Sequence, residues 1–244
     1  MFRRALKGTE LTPVGQAFID HARAALLQAD AALAAARKAA APARQRFALG
    51  FLTGHEIEWL ARALQSLRQL APSIEVTVSS LSSPVLAVAV TRGELDAAFM
   101  RAEKNTVLEY RTVRREKLMA VLPASHRLAE SAELVARDFA DPGFIMPTRT
   151  APVLRDVIDD YARAANVTLP DEIQAENTVA GMSWRTYSGR MVMPPVDTTR
   201  DSAIDTAKPL AAPAPAIALV VGFDPGNLLP LLQRFLRSLP LGAA

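Results

Sequence analysis

Two hydrophobic periods divide this chain. Near the N-terminus, Ile19, Ala22, Leu26, Ala29, Leu33, Ala36 and Ala40 recur at alternating spacings of three and four. That is the heptad period of a helix seam. Thr12 stands where a side chain caps free amides, and Pro13 suits a first helical position because its missing N–H is not needed there. The spacing therefore predicts one long helix from Pro13 to about Ala41, stopped by Pro42. A lone helix of that length cannot bury its own stripe, so the stripe reads as a dimerisation face. The alternative is a helix lying on its own domain.

From residue 46 onward, strands alternate with helices. Phe47–Leu52 reads as a buried strand, and helix Ile57–Leu70 turns Leu60, Leu64 and Leu67 inward. Ile74–Val78 alternates as a second strand. A short helix opens at Ser83-Pro84 and ends at Gly93, and Leu95–Met100 is a third strand. This order implies an α/β fold built on a parallel sheet. Further strands are expected at Leu108–Val113, Lys117–Leu122, Phe144–Met146, Ile173–Ala175, Met191–Met193 and Ala216–Gly222. Helices are expected at Ala151–Ala165, Thr178–Ser188 and Leu228–Leu239. Residues 195–206 are polar and show no period.

Charge adds a second asymmetry. Residues 1–46 carry eight Lys/Arg against three acids, within a chain whose net charge is only +3. A basic arm on a slightly acidic body suggests a polyanion at one end. Arg3, Arg4 and Lys7 are the candidates for phosphate contact. The chain has no cysteine, which excludes disulfides, thiolate metal sites and a cysteine nucleophile, and fits a reducing cytoplasm. No run approaches the roughly 18 apolar residues of a membrane span.

Enzyme chemistry finds little support. The three histidines, His21, His55 and His126, have no metal-ligand spacing, and no nucleophile elbow, dinucleotide fingerprint or P-loop is present. Asp159 and Asp160 are adjacent on a helix and do not converge. No catalytic residue, metal or cofactor is expected.

Several motifs in order resemble one family. Phe2-x-Arg4 followed by Leu11-Thr12-x-x-Gly15 is similar to the end of the winged helix-turn-helix of LysR-type transcriptional regulators. Ser82-Ser83-Pro84 with Arg92-Gly93-Glu94-Leu95-Asp96-Ala97-Ala98-Phe99 resembles that family's second β/α turn and third strand. Lys117–Ala129, with Pro123-x-x-His126-x-Leu128, resembles its hinge strand, and Leu231–Leu236 its last helix. The resemblance implies a two-lobed, periplasmic-binding-protein-like sensor domain preceded by a long linker helix. By that resemblance, residues 1–12 are a wing remnant, 13–42 the linker and dimerisation helix, and 46–244 the effector-binding domain. Lobe I is about 46–120 and 211–244, and lobe II about 121–210.

The resemblance also implies a small-molecule effector, DNA as a partner, a homodimer or homotetramer and no membrane. Two departures stand out. A helix-turn-helix takes roughly 50 residues, so the few before Thr12 are expected to lack most of the DNA-reading helices. A stand-alone binding module without DNA-binding activity is therefore the alternative. Residues 184–206 match the family's second lobe only loosely.

Ligands of open α/β sheets sit beyond the carboxyl ends of strands, where helix N-termini present free amides. The turns that qualify hold Thr53, Gly54 and His55, then Ser82 and Ser83, then Thr148, with Asn177 a weaker candidate. Arg101, just past the third strand, is a candidate counter-charge. Hydroxyls beside helix-end amides favour a carboxylate. The resemblance puts Ser82 and Ser83 first.

Overall fold

A computed structural model describes residues 1–5, 8–40, 46–140, 144–148, 150–169, 173–175, 190–193 and 205–239. Lys7, Asn177 and the helix expected over Thr178–Ser188 lie outside the described residues.

The chain opens with an antiparallel hairpin, β1 (Phe2–Ala5) and β2 (Gly8–Leu11). Helix α1 then runs Pro13–Ala40. Its start is capped as its sequence suggests: Thr12 Oγ1 accepts the Gly15 N–H at 3.1 Å.

Two five-stranded sheets follow. The first has the order β4 (Glu75–Leu81), β3 (Arg46–Leu52), β5 (Ala97–Met100), β12 (Ala216–Phe223), β6 (Glu109–Lys117). β3 is parallel to β4 and β5, whereas β12 pairs antiparallel with β5 and β6. The sheet is therefore mixed. The second has the order β11 (Asp205–Pro209), β7 (Met119–Pro123), β10 (Arg190–Met193), β8 (Phe144–Pro147), β9 (Ile173–Ala175). The chain passes between the sheets at Leu118 and again between Pro209 and Ala216.

Each sheet has its own core. On one face of the first sheet, Phe47, Phe51 and Phe99 pack against α2 (Glu56–Leu70) and α5 (Pro230–Ser238) through Trp59, Leu67 and Phe235. On the other face, Leu86 and Val90 of α3 (Ser83–Thr91) pack with Leu95, Ala98 and Met100. The second core joins Leu122, Phe144 and Met146 to Leu154 and Ile158 of α4 (Pro152–Ala164).

Local chemistry fixes α3 and the amino ends of β3 and β5 beside it. Gly93 has φ +68°, its N–H bonds to the Val90 carbonyl, and the Glu94 N–H bonds to that of Ala89. This 6→1 and 5→2 pair ends α3. Beneath α3, Gly50 lies so close that an added Cβ would stand 2.5 Å from Leu86 and 2.9 Å from the Ala98 Cβ. Asp96 is buried and accepts the Ala48 N–H at 2.8 Å and the Asn227 amide at 3.3 Å. It holds β5, β3 and the approach to α5 in one register.

Candidate functional site

Three strand ends converge in the first lobe. After β3, Gly54 at φ +91° turns the chain sharply, so that His55 points inward at the head of α2. The Thr53 N–H bonds back to the Leu81 carbonyl, which ties this turn to the end of β4. Ser82 and Ser83 begin α3, and Arg101 follows β5. The structure brings Thr53, Gly54, His55, Ser82, Ser83 and Arg101 to one edge of one sheet.

Their roles differ. Ser83 is buried, and its Oγ accepts the Arg101 backbone N–H at 3.0 Å. Ser82 is half-buried, occupies the N-cap of α3 in an extended conformation, and makes no side-chain cap bond. Thr53 is half-buried and accepts a long hydrogen bond from Ser80 Oγ at 3.4 Å.

Arg101 and His55 are almost fully enclosed. The Arg101 guanidinium lies 2.8 Å from Glu116 Oε2 and donates from Nη2 to His55 Nε2 at 2.9 Å. A guanidinium only donates, so Nε2 must be the accepting nitrogen and the proton of neutral His55 sits on Nδ1. Burial, then the Arg101 charge, lowers the His55 pKa from 6.5 to about 4.

The network extends beyond the residues singled out in the sequence. Arg114 donates to Glu116 from Nε at 3.1 Å and grips Glu58 with both nitrogens at 2.6 and 2.9 Å. Its guanidinium also lies 5.7 Å from the centroid of Trp59, which stacks on Phe99. Glu58, Arg114, Glu116 and Arg101 thus alternate in sign and finish on neutral His55. The charge of Arg101 is already matched by Glu116.

Thr148 stands apart, beyond β8 on the second sheet, where its hydroxyl pairs with Thr150 at 2.6 Å. Across the lobes, Lys104 Nζ lies 2.7 Å from Asp156 on α4. Arg3 and Arg4 fall on β1, the first strand of the hairpin. His126 Nδ1 accepts the Leu128 N–H at 3.2 Å, which closes the turn after β7. Among the described residues, no group of three or more His, Asp or Glu forms a metal-binding cluster, and no helix is long and apolar enough to cross a membrane.

The family described as LysR substrate binding domain matches residues 40–239. The chain belongs to the LysR family. It carries the effector-binding domain of a LysR-type transcriptional regulator, in a two-lobed, periplasmic-binding-protein-like fold. The Hca operon transcriptional activator HcaR of Escherichia coli (strain K12) is 28% identical over 233 residues, covering 93% of this chain and 77% of that protein. The chain spans about half the length of several other relatives.

Among solved structures, the effector binding domain of QuiR in complex with shikimate superposes with a TM-score of 0.73 at 16% identity. That match covers 81% of this chain and 96% of that one. CbnR, a LysR family transcriptional regulator, superposes with a TM-score of 0.68 at 16% identity, over 98% of this chain and 84% of that one. The CbnR match takes in α1 as well as the sensor lobes.

Proposed function

We propose that this chain is the sensing and dimerising part of a cytoplasmic, non-enzymatic LysR regulator whose effector is a small carboxylate. The observation that carries this reading is the contrast between Ser82 and Ser83. Ser83 is enclosed and bonded to Arg101, while Ser82 is half-buried at the head of α3 with a hydroxyl that caps nothing. A carboxylate there would accept the Ser82 hydroxyl and the free amides of the first turn, with the helix dipole favouring its charge.

Thr53 and Gly54 border the same edge, and Thr148 is our candidate on the second lobe's side. Arg101 and His55 act as positioning residues, because the guanidinium is already neutralised and fixes the imidazole. Shikimate in the QuiR structure is a carboxylate held by this fold. Effector binding couples to the regulator's output if the two lobe arrangements differ in affinity for it.

The β1–β2 hairpin serves as a wing, with Arg3, Arg4 and Lys7 offered to DNA phosphates. α1 pairs two copies. Its Phe18, Leu26 and Leu33 are 52%, 67% and 50% exposed and lie along one stripe. The residues that meet α3, such as Ala24 and Leu27, lie on the opposite face. The helix therefore rests on its own domain and still presents a seam to a second copy.

A thermal-shift screen of aromatic and short-chain carboxylates tests the reading. An acid at about 100 times its Kd should stabilise the protein by about 2.7 kcal/mol. Stabilisation should be smaller for Ser82→Ala at the same concentration. No stabilisation by any tested acid would contradict the carboxylate reading.

A further inference from the structure

A cavity of about 300 Å³ lies between α1 and the outer face of α3. Ala24 and Leu27 form one wall, Pro84 and Val88 the other, and the loop from Glu103 to Val107 a third side. That volume is at the lower end of small-molecule sites and fits a single-ring compound.

Three polar groups on its border are committed. Thr91 donates to the Ala87 carbonyl at 2.8 Å, Thr106 shares a hydrogen bond with the Tyr110 hydroxyl at 2.9 Å, and Lys104 is paired with Asp156. Glu103 differs from these three. Its Oε1 is buried and has no hydrogen-bond partner among the described residues. Burial, then the nearby Asp156 charge, raises the Glu103 pKa. Glu103 as a whole is half-buried, but a carboxylate oxygen shut off from water without a donor is costly, and a ligand that brings a donor to this carboxylate offsets that cost. With Lys104 already neutralised by Asp156, Glu103 leaves this end of the cavity acidic.

We propose that this cavity is a second small-molecule site, taking a compact apolar body that ends in an ammonium group, with Glu103 as its counter-ion. The apolar walls receive the body, and Glu103 receives the charged donor. The site is opposite in charge preference to the carboxylate edge. Its walls are the linker helix and the helix whose first turn holds Ser82, so an occupant sits on the joint between rod and sensor.

Benzylamine is the probe, with benzyl alcohol as its neutral counterpart and benzoate as its anionic one. Binding to the whole chain is read by saturation-transfer NMR and by titration. Two variants separate the contributions: Glu103→Gln removes the charge, and Ala24→Trp fills the cavity from an exposed helix position. Benzylamine should bind at least about tenfold more tightly than benzyl alcohol, and Glu103→Gln should erase that advantage. Ala24→Trp should abolish binding while leaving carboxylate-induced stabilisation intact. Absence of benzylamine binding at millimolar concentration, wild-type affinity in either variant, or displacement of benzylamine by benzoate would each overturn the proposal.

Discussion

Ser83 Oγ accepts the backbone N–H of Arg101 at 3.0 Å, which straps the first turn of α3 to the end of β5. The bond is buried, so Ser83→Ala leaves an N–H without its partner. The expected cost is about 1–3 kcal/mol of unfolding free energy. Ser82→Ala touches no such bond and should stay within about 0.5 kcal/mol of wild type. Urea titrations of the two variants check this, and equal losses would show that the two serines are not divided in this way.

His55 gives the protein a definite acid response. Unfolded, it takes up a proton near its ordinary value of 6.5; folded, it does so only near about 4. Its contribution is therefore full above pH 6.5, falls as the pH drops between 6.5 and about 4, and is gone below. The span corresponds to roughly 3 kcal/mol. His55→Gln keeps an acceptor for Arg101 but cannot titrate. The stability gap between wild type and His55→Gln should shrink on acidification through that window. Parallel stability profiles from pH 7.5 to 4.5 would contradict a buried neutral imidazole.

Gly50 sets how closely α3 lies on the sheet. A methyl group there meets Leu86, Leu95 and the Ala98 Cβ at under 3.0 Å. The leucine ends can move, but Ala98 is fixed to its strand. Gly50→Ala should cost about 1–3 kcal/mol by overpacking. Because α3 must lift, carboxylate binding at Ser82 should weaken with it. A variant as stable as wild type would show that the packing has slack.

The seam of α1 makes an oligomer prediction. Leu26→Glu with Leu33→Glu places charge on the exposed stripe and none against α3. Sedimentation should show a dimer or tetramer for wild type and a monomer for the double variant, with an unchanged melting curve for the sensor lobes. An unchanged assembly would place the interface elsewhere.

Much of this architecture is legible in the residues. Thr12 and Pro13 mark the start of α1, and Gly93 marks the end of α3, because each of those functions demands a particular backbone or side chain. Strand direction is less visible. Ala216–Phe223 is plainly a strand, yet nothing in its composition says that it runs against β5. β6 reads in sequence as ending at Val113, because Arg114-Arg115-Glu116 is a charged run. It continues to Lys117 because Arg114 and Glu116 share a face and satisfy each other and Glu58. β11 is likewise hidden, as a polar strand at the edge of its sheet.

The site shows the same division. The turns at Thr53–His55 and Ser82–Ser83 follow from strand ends and helix starts. The enclosure of Arg101 does not, because Glu116 and His55 reach it from strands and helices far apart in sequence. Alternating Arg114 and Glu116 on one strand was the available signal, and it identifies a pair without revealing a third partner.

The most direct test of the account is the Kd, by calorimetry, of the most stabilising carboxylate for wild type and Ser82→Ala. Removing a hydroxyl that donates to an anion should weaken binding by about tenfold or more, and the amide analogue of the same acid, a neutral acceptor, should lose less on the same substitution. Equal affinity of wild type and Ser82→Ala for the acid would contradict a carboxylate site at the head of α3.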